Sequence, residues 1–185
     1  MARVLIVYST SEGQTAKISH EMSGWLAAKG HEVEAHRVQD LPNPTNVGGF
    51  DAVIAGSSVH QGELDGALAH WASTNLRALG AAHSAFFSVS LSAAGGKKED
   101  HAELRRITDS YLAAIGWKPE QVAFFAGALA YSQYGLVKRF IMQNIARKEG
   151  GGTDPSRDYE YTNWESVRHF AEDVVESCEE AANSM

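Results

Sequence analysis

The sequence contains only one cysteine, Cys178, in its 185 residues. A single thiol forms no internal disulfide and cannot by itself hold an iron–sulfur cluster or a structural zinc ion. Cys178 lies on a predicted helix with no electropositive neighbours, which predicts a packed thiol rather than a nucleophile. The segment His31–His36 is similar to the zinc motif H-E-x-x-H, but it is one residue too long and lies on a predicted strand. We therefore expect no metal site.

Basic residues and long apolar runs are also scarce. Lys and Arg number 16 against 23 Asp and Glu, which gives a net charge of −7 and argues against a nucleic-acid partner. No apolar run approaches the ~20 residues of a membrane-spanning helix. The N-terminal run Val4–Tyr8 is too short for a signal peptide. The sequence predicts a cytoplasmic protein in which any membrane contact is peripheral.

Apolar strands alternate with amphipathic helices along the chain, a pattern typical of a parallel sheet covered by helices on both faces. We predict a single α/β domain, residues 1–185, with the doubly wound five-stranded sheet of flavodoxin-like folds. The predicted strands are Val4–Tyr8, Glu32–Arg37, Ala52–Gly56, Ala85–Leu91 and Val122–Ala126. The predicted helices include one that ends at Gly30, then Leu64–Leu79, Glu99–Ile115, and a last helix that begins with a capping box at Thr162–Glu165.

A long segment, residues 127–161, separates the last predicted strand from the last helix and is interpreted as a helical insertion. Within it, residues 134–148 combine an apolar face with a basic one, formed by Lys138, Arg139, Arg147 and Lys148. The apolar face either covers an edge of the sheet or faces a bilayer whose anionic headgroups meet the basic residues. Both alternatives remain open at this stage.

The loop after the first strand is rich in hydroxyl groups and opens a helix. It comprises Ser9, Thr10, Ser11, Glu12, Gly13, Gln14 and Thr15. Free backbone N–H groups and the positive end of the helix dipole collect there, so the loop predicts a phosphate-binding site built from neutral donors. The Walker and dinucleotide-binding glycine patterns are absent, which argues against an ATPase and a Rossmann enzyme. The alternative is an ordinary Ser/Thr-rich helix cap.

Two further loops follow strands that neighbour the first, and they are expected to open at the same edge of the sheet. The candidate residues in them are Ser57, Ser58, Val59, His60, Gln61, Gly62, Ser88, Val89, Ser90 and Leu91. Their small side chains let a flat ring, such as a flavin, lie against the backbone, whose polar groups address the rim of the ring. His60 is a tentative catalytic residue that could stack on the ring or donate to a substrate, and an exposed loop histidine is the alternative.

At these loops the chain resembles known flavoproteins. Ser9–Thr15 resembles the FMN-phosphate signature of flavodoxins, and the whole chain resembles the menaquinone-dependent protoporphyrinogen IX dehydrogenase family. The matching pieces are Tyr8–Thr10, Gly13–Thr15, Gly56–Val59, Gly62, Phe87–Leu91, Ala126–Leu129, Tyr131, Gly151–Asp154 and Tyr161–Glu165. The pair His60-Gln61 departs from the Arg-Tyr pair of that family.

The resemblance implies FMN as cofactor, oxidation of protoporphyrinogen IX to protoporphyrin IX, a quinone as electron acceptor, and peripheral contact with a membrane. It does not define the oligomeric state. Two alternative functions remain: a flavodoxin-type electron carrier that docks on protein partners, and an NAD(P)H:quinone reductase. The acidic net charge suits a carrier, whereas the basic insertion suits the enzyme.

Overall fold

The structure is a computed structural model that describes residues 1–42, 44–94, 98–129 and 159–184. Strands and helices alternate through most of this range, as the hydrophobic pattern predicts. The strands are β1 (Arg3–Ser9), β2 (Glu32–Arg37), β3 (Ala52–Ser58), β4 (His83–Ser90), β5 (Gln121–Ala126), β6 (Ala128–Leu129) and β7 (Tyr159–Glu160). The helices are α1 (Gln14–Ala28), α2 (Gly66–Thr74), α3 (Leu76–Leu79), α4 (Lys98–Ile115) and α5 (Trp164–Asn183).

The main sheet has five parallel strands in the order β2-β1-β3-β4-β5. This is the predicted flavodoxin-like order, and it confirms the fold class. The central strands are buried along nearly their whole length, whereas β2 alternates between exposed and half-buried residues at the edge of the sheet. The short β6 and β7 pair antiparallel in a separate two-stranded sheet, which the sequence analysis did not predict.

Two apolar layers cover the faces of the sheet. On one face, α1 and α5 pack around the aromatic cluster of Phe87, Phe125 and Phe170. On the other, α2 and α4 pack around Trp71 and Phe86. Gly56 on β3 is required for this packing, because a Cβ there would lie 2.0 Å from the ring of Phe87. Burial of this kind supplies most of the driving force for folding.

The sequence predicts one unbroken helix over Leu64–Leu79, and this prediction is wrong. The helix ends at Thr74 and a short one restarts at Leu76. Asn75 lies between them with φ −108°, and its side-chain amide donates to the carbonyl oxygen of Trp71 at 2.8 Å. Asparagine often makes such local bonds at helix ends, and it stops the helix here.

The predicted capping box at Thr162–Glu165 is also wrong. Asn163 is the N-cap of α5, and its side-chain oxygen accepts from the backbone N–H of Ser166 at 3.1 Å. Thr162 instead donates its hydroxyl proton to the carbonyl oxygen of Ala126 at 2.7 Å, which ties the start of α5 to the end of β5.

Cys178 is buried on α5, with its Sγ 3.4 Å from the carbonyl oxygen of Asp51. Burial raises the pKa of this thiol, which confirms the interpretation as a packed residue. The helix predicted over residues 134–148 lies outside the described residues, as does most of the predicted insertion 127–161. No helix in the described ranges has both the length and the apolar character needed to cross a bilayer.

Candidate functional site

A cavity of about 650 Å³ opens at the carboxyl ends of the central strands. Ligands of open α/β sheets bind at this edge, next to the point where the strand order reverses. Three predicted loops contribute Thr10, Ser11, Glu12, Gln14, Thr15, Ser58, Val59, His60, Gln61, Gly62, Val89, Ser90 and Leu91 to the cavity wall. The loops that the sequence singles out therefore meet in one place.

The loop between β1 and α1 wraps the N-terminus of α1. Gly13 takes a left-handed conformation with φ 92°, and its N–H donates to the hydroxyl oxygen of Thr10 at 2.9 Å. The N–H groups of the first turn of α1 have no acceptor within the helix. Thr15, in the same turn, is 1 % exposed, and its hydroxyl oxygen has no hydrogen-bond partner. Such orphaned buried groups are uncommon, and this one lies on a residue that lines the cavity.

Ser58 joins the first loop to the second. Its hydroxyl oxygen accepts from the N–H of Ser11 at 3.2 Å and lies 3.3 Å from the hydroxyl oxygen of Ser11. In the same way, the N–H of Val59 donates to the carbonyl oxygen of Val89 at 2.8 Å, which joins the second loop to the third. The three loops thus form one connected wall.

The second loop contains a tight hairpin from His60 to Glu63. The N–H of each of these residues donates to the carbonyl oxygen of the other, at 2.8 and 3.0 Å. Between them, Gln61 and Gly62 have φ values of 53° and 82°, as a type I′ turn requires at its two central positions. This turn holds His60 at the exposed rim of the cavity, where the sequence analysis expected a titratable group.

Four predicted site residues do not line the cavity. Ser9, Ser57 and Ser88 are neighbours across β1, β3 and β4 and are fully buried, and Gly13 turns the loop backbone. The hydroxyl oxygens of Ser9 and Ser57 lie 3.2 Å apart, and Ser57 also accepts from the N–H of Asp65 at 3.1 Å. In this arrangement Ser9 and Ser57 support the loops from below, whereas the hydroxyl oxygen of Ser88 has no hydrogen-bond partner.

Gln14 is bonded to the far end of the chain. Its side-chain amide donates to Glu160 at 2.7 Å and to the hydroxyl oxygen of Thr162 at 2.8 Å. Lys17 pairs with the same Glu160 carboxylate at 2.9 Å. Partial burial opposes ionisation of Glu160, but the bonds from Lys17 and Gln14 prevail and lower its pKa. The short strand β7 is thereby fastened to the first loop.

One side of the cavity was not predicted from the sequence; it is formed by the start of α4 and the segment after β5. These lining residues are Ser92, Asp100, Glu103, Leu104, Ile107, Gly127 and Ala128. The members on α4 have the spacing i, i+3, i+4 and i+7, so they share one helical face. That periodicity was visible in the sequence, but only the packing of α4 shows that the face meets a cavity.

The charged groups in the described part of the cavity wall are acidic, and no Lys or Arg is among them. Glu12 is exposed to water. Glu103 forms two bonds with the guanidinium of Arg106, at 2.7 and 2.8 Å, and these bonds lower the pKa of Glu103. Asp100 has one carboxylate oxygen that is enclosed and has no hydrogen-bond partner. Within the described ranges these carboxylates form no metal-ligand group.

Comparison with known proteins agrees with this fold. The family model for the flavodoxin domain matches residues 5–156. The chain belongs to the flavodoxin-domain family. It is also 30% identical over 173 residues to protoporphyrinogen IX dehydrogenase [quinone] of Escherichia coli K12, covering 94% of both chains. A protein of the same name from Leishmania major is 32% identical over 174 residues, covering 94% of this chain and 74% of the relative. The chain is therefore also a member of the protoporphyrinogen IX dehydrogenase family, as its sequence motifs predict.

A solved structure with the same fold is a short-chain flavodoxin associated with a bacterial microcompartment. It superposes with a TM-score of 0.57, covers 96% of this chain and 99% of its own, and is 12% identical in sequence. At this identity the likeness establishes the fold alone.

Proposed function

We propose that this chain binds FMN in the cavity and oxidises protoporphyrinogen IX, with a quinone as electron acceptor. The main support is the match to two relatives named protoporphyrinogen IX dehydrogenase [quinone], which extends over 94% of this chain. The cavity agrees with this function, because it combines an anion-binding helix terminus with a wall suited to a flat ring. The activity is thus inferred from both family membership and local chemistry.

The phosphate of FMN fits the first loop. The orphaned hydroxyl of Thr15 and the N–H groups of the first turn of α1 are donors without acceptors, as an anion requires. Thr10 and Ser11 add hydroxyl groups that also line the cavity. The side-chain amide of Gln14 is already bonded to Glu160 and Thr162, so we expect Gln14 to position the loop and to offer only its backbone N–H.

The flavin ring fits between the second and third loops. Ser58, Val59 and the hairpin at Gln61-Gly62 form one side, and Val89–Leu91 the other. When bound there, the flavin supplies the oxidising group, while the protein binds and orients the reactants. His60 stands at the rim, and we propose that it contacts the substrate or the ring edge without acting as a nucleophile.

The acidic wall argues against NAD(P)H as the electron donor. A dinucleotide brings two or three phosphate groups, and proteins generally hold these with cations or with several backbone donors. Asp100 and Glu103 would instead repel them, and the described wall contains no Lys or Arg to offset this. A porphyrinogen presents neutral pyrrole rings and can turn its anionic propionate groups toward solvent.

Anaerobic mixing of the FMN-loaded protein with protoporphyrinogen IX and a menaquinone analogue tests the proposal. We expect porphyrin fluorescence that grows only when the quinone is present. A flavin that NADPH bleaches rapidly, with no porphyrin formed, would identify a quinone reductase. A flavin that exchanges electrons with a redox protein but leaves porphyrinogen unchanged would identify a carrier.

We further propose that the chain meets a membrane surface, because quinones dissolve in lipid. The support is the sequence of residues 134–148 alone, in which Lys138, Arg139, Arg147 and Lys148 accompany an apolar face. We expect the protein to sediment with anionic vesicles and to lose that property when these four residues are replaced by glutamine. Equal sedimentation of the two proteins would reject the membrane contact.

A further inference from the structure

Asp100 has an unusual position for a carboxylate. It lies in the first turn of α4 and lines the cavity, and its Oδ2 atom is enclosed without a hydrogen-bond partner. The positive end of the helix dipole favours a negative charge at this place. The dipole does not replace a hydrogen bond, however, and a buried charged oxygen without a donor is costly. The feature therefore needs an explanation beyond helix stability.

The other carboxylates of the wall do not share this feature. Both oxygens of Glu103 accept from Arg106, and Glu12 is exposed to water. Each of them is therefore satisfied in the ligand-free protein. Asp100 lines the cavity and keeps a carboxylate oxygen that no group in the described part of the protein satisfies.

We infer that Asp100 accepts a hydrogen bond from a ring N–H of the molecule bound in the cavity. This inference rests on the proposed function, which places two such molecules there. A porphyrinogen has sp³ meso carbons, so its ring puckers and its pyrrole N–H groups can converge on one side. The flavin ring also carries an imide N–H, which is a second group able to donate this hydrogen bond to Asp100.

The charges of the wall also favour an orientation in which the pyrrole N–H groups of a porphyrinogen face Asp100. Asp100 and Glu103 would repel the propionate groups, and the described wall offers them no cation. The substrate is therefore expected to enter with its pyrrole N–H groups toward α4 and its propionate edge toward the opening. The flat porphyrin product holds its remaining N–H groups in the ring plane, where a carboxylate beside the ring cannot reach them.

The test compares Asp100→Asn with Glu99→Gln. Glu99 lies beside Asp100 in the first turn of α4 and is exposed outside the cavity wall, so its replacement removes the same charge from the same helix terminus. The first measurement is the Kd of a water-soluble meso-octaalkyl porphyrinogen for the FMN-loaded protein. Its meso carbons carry no hydrogen, so it binds without being oxidised. The second is the Kd of FMN for the apoprotein, followed by flavin fluorescence.

Asparagine keeps a neutral acceptor oxygen, so Asp100→Asn turns a charge-assisted hydrogen bond into a neutral one, which weakens binding by about fivefold. We expect Asp100→Asn to weaken porphyrinogen binding by about fivefold or more, and Glu99→Gln to change it less than about twofold. Weaker FMN binding by Asp100→Asn alone would assign the N–H to the flavin imide. Unchanged Kd values for both molecules, or equal effects of the two variants, would overturn the inference.

The inference and the proposed function can fail separately. If the wild-type protein forms no porphyrin with a quinone, the oxidation is rejected, while the two binding measurements still decide the role of Asp100. If the wild-type protein is active and Asp100→Asn behaves like it in both titrations, only the inference fails. Urea unfolding of each variant shows that the compared proteins are equally folded.

Discussion

Replacing Thr15 with valine removes a buried hydroxyl from the first turn of α1 and keeps nearly the same side-chain shape. In the ligand-free protein this hydroxyl has no hydrogen-bond partner and is 1 % exposed. In the proposed complex it donates to the phosphate of FMN. The substitution should therefore have opposite effects on two quantities, the stability of the apoprotein and the affinity for FMN.

The two magnitudes follow from the surroundings of Thr15. An unsatisfied buried hydroxyl costs about 1–3 kcal/mol, so its removal should stabilise the apoprotein by about 2 kcal/mol. For a chain of this length that raises Tm by about 6 °C. A hydrogen bond to a charged phosphate contributes about 2 kcal/mol, and its loss should raise the Kd of FMN by about thirtyfold.

Thr108→Val is the matched control. Thr108 on α4 is also buried, and its hydroxyl oxygen also has no partner, but Thr108 does not line the cavity. Its replacement should raise Tm similarly and leave the Kd of FMN unchanged. The assays are calorimetry of the apoproteins and titration with FMN and with riboflavin, which lacks the phosphate. The reasoning is refuted if Thr15→Val binds FMN as tightly as Thr108→Val, or loses as much affinity for riboflavin as for FMN.

Two further predictions concern the framework around the cavity. Gly56→Ala should destabilise the protein by about 1–3 kcal/mol in urea unfolding, because the new Cβ would lie 2.0 Å from the fully buried ring of Phe87. The control is Gly24→Ala, which has open space around its Cβ and should not destabilise the protein. Glu160→Gln should lower Tm at pH 7. Because the folded pKa of Glu160 is lowered, its contribution to stability is present above the unfolded value of 4.5 and is lost as the pH falls below it. The difference between wild type and variant should therefore stay constant from pH 7 to about pH 5 and shrink as the pH falls below 4.5. Glu21→Gln, an exposed control on α1, should show no such trend.

The sheet and its loops could be predicted because their signals are local. A strand buried on both faces, such as β1 or β3, reads as an unbroken apolar run, and β2 reads as an edge because polar residues interrupt it. Alternation with helices then determines the parallel order. Since the carboxyl ends of parallel strands lie at one edge, the three loops could be assigned to one cavity before the structure was known.

The features that the sequence did not reveal depend on contacts between distant residues. Gln14 and Glu160 are bonded across almost the whole chain, and no local pattern links them. Asp100 resembles any acidic residue in the first turn of a helix, a place where such residues are common. Its exceptional feature is an oxygen without a partner, and that depends on how α4 packs beside the loops. The break at Asn75 is the exception, because it reflects a local bond to Trp71 that helix periodicity does not encode.

The polar groups around the cavity fall into two kinds. This division explains how the wall can be ordered before a ligand binds and still keep unpaired polar groups. Groups that connect one loop to another are paired: Ser11 with Ser58, Val59 with Val89, and Gly127 with Ser90. Such bonds order the wall in advance, so a ligand loses less affinity to ordering it. Thr15 and Asp100, two residues that line the space where a ligand would lie, instead keep atoms without a hydrogen-bond partner. If these atoms were satisfied within the protein, the fold would be more stable, but the cavity would lose the donor that we propose for a phosphate and the acceptor that we propose for a ring N–H.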